Sequence, residues 1–339
     1  MANVIRQILQ PSRIYPVALV LLMVIVYKCR QSDMQVVQGK TMGGISYTIK
    51  YTNTSTDYSK EIANILIEFN LVLSTYDSTS EISQFNRRGL YQAPSRYFRE
   101  VWKQAKEVHQ ETGGAFDPTV MPLINAWGFG YKKVSVAPDS STIDSLKQYV
   151  DMSAIRLSGK EIKSIKHGVG LDFSAIAKGY ACDVIAEFLD SQDVDGYMVE
   201  IGGEVRCKGT KTDGDFWRIG VERPMEGGQS VLAAVPLENR SMATSGNYRN
   251  QRTFEGKKVG HTIDPRTGYP IMNHLKSATV FADNCMRADA FATAMMVLGV
   301  DQSIALAGKV SDIQVYLVYD DNGVLKTFAS EGLKIEVQE

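Results

Sequence analysis

Residues 277–299, SATVFADNCMRADAFATAMMVLG, place one carboxylate and one hydroxyl four residues apart in a stretch otherwise dominated by apolar side chains. Asp289 and Thr293 therefore share one face of a helix, and Ala290, Ala294, Met295, Val297 and Leu298 supply contacts on the adjoining faces. Gly299 stands where a helix-terminating glycine belongs. A carboxylate in so apolar a helix needs a partner. The segment alone leaves two open: the aspartate, in the N-terminal turn, neutralises the dipole of its own helix, or it ligates a hard cation, Mg²⁺ or Ca²⁺.

The chain of 339 residues is long enough for one large or two ordinary domains, and 44% hydrophobic with 22% charged residues is a globular composition. A net charge of −1 without a long basic run excludes sequence-independent nucleic-acid binding. Cys29, Cys182, Cys207 and Cys285 form no CxxC pair, and the three in the body argue against a disulfide framework.

Residues 14–27 (IYPVALVLLMVIVY) are apolar on every face, follow Arg6 and Arg13, and close on Lys28-Cys29-Arg30. This pattern predicts a signal or anchor segment over residues 1–30 and a polar linker over 31–40. Residues 41–339 form the folded body. Lys28 before Cys29 is unlike a lipoprotein cleavage site, which favours an uncleaved anchor. With both arginines ahead of the run, the body lies outside the cytoplasm.

In the body, residues 45–51 alternate as a strand, Ser59 is placed to cap a helix bearing Ile62, Leu66, Phe69 and Leu73, and residues 74–87 read as a polar loop. Ser95 opens a second helix. The run GGAFDPTVMPLINAWGFG (113–130) either packs as a buried turn on its own aromatics or lets the backbone approach a flat ligand. A short helix near 141–149 and paired strands around 155–165 precede LDFSAIAKGYACD (171–183). There Ser174 is placed as a helix cap, and Lys178 in the first turn either faces solvent or meets an anion. The second half is rich in strands, and Asp320-Asp321-Asn322-Gly323 marks a hairpin. Strands and helices come in blocks without βαβ alternation, so the class is α+β, with helices packed on antiparallel sheets.

Six segments in this order, GGAFDPTVMPLINAWGFG, LDFSAIAKGYACD, EIGGE, ATSGNYR, HTIDPRTGYP and ADAFATAMMVLG, resemble the ApbE family, the bacterial FAD:protein FMN transferases with a T-fold-related body. No GxGxxG after a first strand and no GxxxxGK[ST] compete with this reading. The resemblance implies an enzyme that binds FAD with Mg²⁺, cleaves the pyrophosphate and leaves FMN on a threonine or serine of a target flavoprotein, releasing AMP. It also implies metal ligation by Asp289, Thr293 and the Ala175 carbonyl. FAD contacts come from Met42, Tyr76, Ala115, Phe116, Asp117, Asp172, Lys178, His261 and Asp264. At Met42-Gly43-Gly44 the chain lacks the threonine that the family usually carries after the first glycine.

His261 is the only histidine within these motifs; His109, His167 and His274 fall outside them. It is either the general base for the incoming hydroxyl, working beside Asp289, or a binding or structural residue. Hydrolysis of FAD to FMN and AMP, or FAD carriage without turnover, are the alternative activities. Together, family and anchor imply a partner in a membrane electron-transport complex, on the periplasmic or outer side of a bacterial cell membrane.

Overall fold

The computed structural model describes residues 34–132, 134–224, 230–247 and 250–337. The anchor segment 1–30 lies outside the described residues, and among the described ones no helix is long and apolar enough to cross a membrane. In chain order the strands are β1 (Gln35–Thr41), β2 (Ile45–Tyr51), β3 (Leu90–Gln92), β4 (Ile155–Leu157), β5 (Glu161–Ser164), β6 (Tyr197–Ile201), β7 (Glu204–Lys208), β8 (Trp217–Glu222), β9 (Val231–Leu237), β10 (Ser241–Gly246), β11 (Gln251–Phe254), β12 (Lys257–Gly260), β13 (Leu275–Ala282), β14 (Gln314–Asp321), β15 (Val324–Ala329) and β16 (Glu336–Val337). The helices are α1 (Ser59–Leu73), α2 (Glu81–Arg88), α3 (Arg96–Glu111), α4 (Met121–Ala126), α5 (Ser140–Lys147), α6 (Ala177–Ser191), α7 (Cys285–Leu298) and α8 (Val300–Ala307).

Eight strands form one sheet in the order β1-β2-β6-β7-β10-β13-β14-β15, with every neighbouring pair antiparallel. The order follows the sequence, so the sheet is a meander into which helices and smaller sheets are inserted. Alternation assigns its faces. Ala278, Val280, Val315 and Leu317 pack with α1, α3, α6 and α7 in the larger core, whereas Phe281, Tyr316, Val318, Val205 and Cys207 meet β8 and β9 in a second core. The α+β architecture is thus helices, sheet and a three-stranded sheet of β16-β9-β8 in layers.

Four local expectations are corrected. Residues 35–40 are not linker: β1 pairs along its whole length with β2, because Val37 is buried and the backbone gains a full ladder. Residues 74–87 are not all loop, since Ser80 caps α2 through the Ser83 N–H and Ile82 and Phe85 are fully buried. Ser59 is the first residue of α1, and the Asp57 carboxylate accepts its N–H at 2.9 Å. Ser174 caps nothing: α6 starts at Ala177 with Ile176 ahead of it, the Ala177 N–H goes to the Phe173 carbonyl, and the Gly179 N–H finds its partner on another helix. The expected hairpins hold, with Asn322 and Gly323 at positive φ between β14 and β15. Cys182, Cys207 and Cys285 are buried free thiols.

α6 and α7 pack closely because Gly179 has no side chain. A Cβ there would stand 2.2 Å from the Cys285 carbonyl oxygen and 2.8 Å from the Asp289 Cβ. Gly179→Ala is therefore expected to cost about 3 kcal/mol, the upper end of overpacking, because backbone must move. Gly159→Ala, with open space at its Cβ, is expected to be neutral. Urea unfolding of the two variants checks this.

Candidate active site

The site grows from the α6–α7 seam. An uninterrupted helix would direct the Gly179 N–H back to the Ala175 carbonyl, but it donates to Asp289 Oδ2 at 3.0 Å. Asp289 thus neutralises a helix N-terminus, that of α6 rather than its own. The reverse contact also exists. Asp183 of α6 accepts the Cys285 N–H at 2.9 Å and the Met286 N–H at 2.8 Å, capping α7 from outside. Within α7, Asn284 caps through the Arg287 N–H, and nearly every face of the helix is buried.

The hairpin β6–β7 turns on Gly202-Gly203, both at positive φ, which is what a two-residue loop between twisted strands requires. Val205 and Cys207 point into the second core, so Glu204, Arg206 and Lys208 point at α6. They meet it as a ladder of ion pairs: Glu204 with Lys178 at 2.5 Å, Arg206 with Asp183 at 2.6 Å and Lys208 with Asp190 at 2.8 Å. Charges alternating with apolar residues in EVRCK read as a solvent face. The signal that reveals the ladder is the complementary set Lys178, Asp183 and Asp190 on α6.

Lys178 pairs with the buried Glu204 and is next in sequence to Gly179, whose N–H holds the buried Asp289. Burial alone would lower its pKa, but Glu204 and Asp289 outweigh it and hold the ammonium above the usual lysine range. Burial pushes Glu204 up to about 7, against the pull of Lys178. Asp289 is likewise raised by burial, opposed by Lys178 and the Gly179 N–H. Thr293 shares a hydroxyl contact of 3.2 Å with Ser245, which comes from the ATSGNYR segment. Tyr248 and Arg249 of that segment lie outside the described residues.

His261 directly follows β12. Its Nδ1 lies 3.2 Å from the Asn250 carbonyl, which only accepts, so Nδ1 carries the hydrogen and Nε2 of the neutral ring keeps its lone pair. Burial and the Lys178 charge lower its pKa, while the Asn250 bond opposes them. Its ring stands edge-on to Phe129 at 6.3 Å. Asp264 builds the turn that follows, holding Arg266 through both oxygens at 2.9 Å, and Trp127 ties that turn to the aromatic loop by donating to the Gly268 carbonyl.

The remaining predicted residues divide. Ala115, Phe116 and Asp117 are buried, and Asp117 Oδ1 accepts the Thr119 N–H and hydroxyl at 2.7 and 2.5 Å. His109, missed in the sequence, reaches Asp117 Oδ2 at 3.4 Å and the Phe116 carbonyl at 3.0 Å. In this structure Asp117 fixes its loop. Asp172 joins that loop by donating its N–H to the Pro118 carbonyl at 2.8 Å, and its Oδ1 accepts the Ser174 N–H. Met42 occupies the β1–β2 turn at φ 46°. Tyr76 is 71% exposed, although the Asp172 charge reaches its hydroxyl.

Among the described residues no three His, Cys, Asp or Glu side chains converge as a metal cage. The implied set asks for less: one carboxylate, one hydroxyl and one carbonyl, all oxygen. The residues fit it, since the Gly179 N–H goes to Asp289 and leaves the Ala175 carbonyl without its helical partner. None of the predicted residues lines the cavity of about 370 Å³ beside Met121, Asn125, Tyr131 and Tyr149.

The sequence model of the ApbE family matches residues 42–317. A Haemophilus influenzae protein named FAD:protein FMN transferase is 39% identical over 313 residues, covering 88% of this chain and 90% of that protein. The solved structure of the flavin transferase ApbE from Vibrio cholerae superposes with a TM-score of 0.80 at 35% identity, covering 88% of this chain and 98% of the other. The apo flavinyl transferase ApbE of Pseudomonas stutzeri gives 0.79 at 31% identity, with 88% and 95% covered.

Removing the Asp183 carboxylate strands a partly buried guanidinium and two helix N–H groups at once. Asp183→Ala is expected to destabilise by about 3–5 kcal/mol. Urea unfolding measures it, and a loss below about 1 kcal/mol, the scale of a surface pair, would show that the carboxylate does not join the helices.

Proposed function

Because this chain belongs to the ApbE family, we propose that it transfers the FMN half of FAD onto a threonine or serine hydroxyl of a target flavoprotein and releases AMP. It is a transferase with FAD as substrate. The observation that carries the reading is the half-buried Lys178 ammonium in the first turn of α6, next to the Gly179 N–H that holds Asp289, where helix dipole and lysine together suit a pyrophosphate.

The acceptor hydroxyl oxygen bonds to the phosphorus of the FMN phosphate, the bond from that phosphorus to the bridging oxygen breaks, and AMP leaves with the bridging oxygen. His261 Nε2 takes the hydroxyl proton, for which its lowered pKa keeps it neutral. Lys178 steadies the phosphate oxygens as charge moves onto the leaving group. A Mg²⁺ held by Asp289, Thr293 and the Ala175 carbonyl supplies, when bound, further neutralisation of the same oxygens. The loops around Ala115, Phe116, Asp117 and Asp172, with Met42, Tyr76 and Asp264, hold the rest of FAD.

The partner we propose is a flavoprotein of a membrane electron-transport complex, and the location is the periplasmic or outer side of the cell membrane. Supporting this is the apolar run 14–27 behind Arg6 and Arg13. With β1 starting at Gln35, residues 31–34 leave at most about 14 Å between anchor and body, so the acceptor stands close to the bilayer. Protease added to cells with a permeabilised outer layer is expected to degrade the body. Protection would place it in the cytoplasm.

The decisive assay combines the protein, FAD, Mg²⁺ and an acceptor flavoprotein, with mass spectrometry of the acceptor. Covalent FMN that disappears when the acceptor threonine is changed to alanine supports transfer. AMP formed equally fast without any acceptor would mean pyrophosphatase, and intact FAD would mean a carrier. Asp289→Ala is expected to abolish Mg²⁺-dependent turnover. His261→Ala is expected to lower the rate by about 10²- to 10⁴-fold with FAD affinity little changed.

The pH profile follows from the sign of the His261 shift. A base works when unprotonated, and a lowered pKa keeps it unprotonated below the ordinary histidine value of 6.5. Activity is therefore expected to persist as pH falls through 6.5 and to be lost only further down. His261→Ala should lose that acid limb.

A further inference from the structure

Glu204 differs from the other acids of the ion-pair ladder. Asp183 is satisfied by Arg206 and two backbone N–H groups, and Asp190, on the exposed rung, is paired with Lys208 and the Tyr197 hydroxyl. Glu204 is 2% exposed, gives Oε1 to Lys178, and leaves Oε2 buried without a hydrogen-bond partner. A buried carboxylate oxygen without a donor costs stability that the two other rungs do not incur. The surrounding backbone is shaped to this arrangement: a Cβ on Gly202 would stand 3.2 Å from the Lys178 Cδ and 3.6 Å from Glu204 Oε2.

Electrostatics gives that cost a use. The Lys178 ammonium is paired with Glu204, and the next residue along, Gly179, donates its N–H to Asp289, so the lysine stands near two buried carboxylates. With both carboxylates ionised, two negative charges stand against one positive and the site repels a pyrophosphate, although a lysine and a helix N-terminus are present to receive one. A divalent cation at Asp289 reverses the balance, and the lysine is then free to be shared with phosphate.

Resting on the transferase reading, we propose that Glu204 is a positioning residue: it tethers Lys178 at the α6 N-terminus and makes the site refuse the FAD pyrophosphate until a divalent cation is present. The two tasks separate chemically. Tethering needs the length of the glutamate side chain, and refusal needs its charge.

The test measures FAD affinity by quenching of flavin fluorescence in EDTA, alongside kcat with Mg²⁺ and an acceptor. Glu204→Gln removes the charge at constant shape and is expected to tighten cation-free FAD binding by at least about tenfold, since a unit charge a few ångströms away is worth more than that at moderate dielectric, while lowering kcat. Glu204→Asp keeps the charge and withdraws it by one methylene, so cation-free affinity should stay as in the unmodified protein while kcat falls. Asp190→Asn, which alters an outer rung, should change neither. Should Glu204→Gln not fold, a fall in kcat at constant affinity in Glu204→Asp supports the proposal, and an unchanged kcat there overturns it. FAD affinity in EDTA that is unchanged or weaker in a folded Glu204→Gln also overturns it, leaving a structural rung. Because the affinity measurement needs no acceptor, it stands or fails independently of whether transfer occurs.

Discussion

Two helices cap each other across one seam, and the site exists because they do. The α6 N–H at Gly179 is satisfied by Asp289 of α7, and the α7 N–H groups at Cys285 and Met286 by Asp183 of α6. Each carboxylate meets the positive end of the other helix's dipole in a buried setting, where such contacts are stronger than at a surface. The exchange fixes the helices antiparallel and in register, and brings Asp289 to the first turn of α6, where Lys178 stands. Gly179 makes the approach possible by being absent as a side chain.

The ladder from β7 to α6 extends the same logic to the sheet. Its inner rungs are enclosed and its outer rung, Lys208 with Asp190, is more exposed, so its contribution falls outward. The strand's other residues, Val205 and Cys207, hold it to the second core. One short strand thus joins the two cores, and its first residue, Glu204, holds Lys178.

Much of this was legible in the residues. The 3.6-residue period of α1 and α3, the Asn-Gly turn of the last hairpin and the α+β class follow from local patterns that tertiary packing reinforces. The shared face of Asp289 and Thr293 was readable for the same reason. What escaped were contacts between distant segments. The Asp289 carboxylate served a helix dipole, as one reading allowed, but of a helix 110 residues earlier in sequence. Ser174 and Ser59 had the right chemistry for caps and lost to acceptors that could reach better, Asp289 on α7 and Asp57 just before α1. Helix α2 was hidden because only Ile82 and Phe85 carry its apolar face. His109 lay outside every motif and is joined to one, through Asp117, only in three dimensions.

The separation between Lys178 and Asp289 has a consequence for synthesis. The sheet is a meander that grows in sequence order, yet Asp289 is drawn from α7, after β1–β13 and α1–α6 have been made, and closure across so long a loop is slow and entropically opposed. A ribosome-bound chain that has released everything through β13 holds Lys178, Glu204 and His261 but not Asp289. The candidate site is accordingly incomplete until α7, which carries Asp289 and Thr293, has been made.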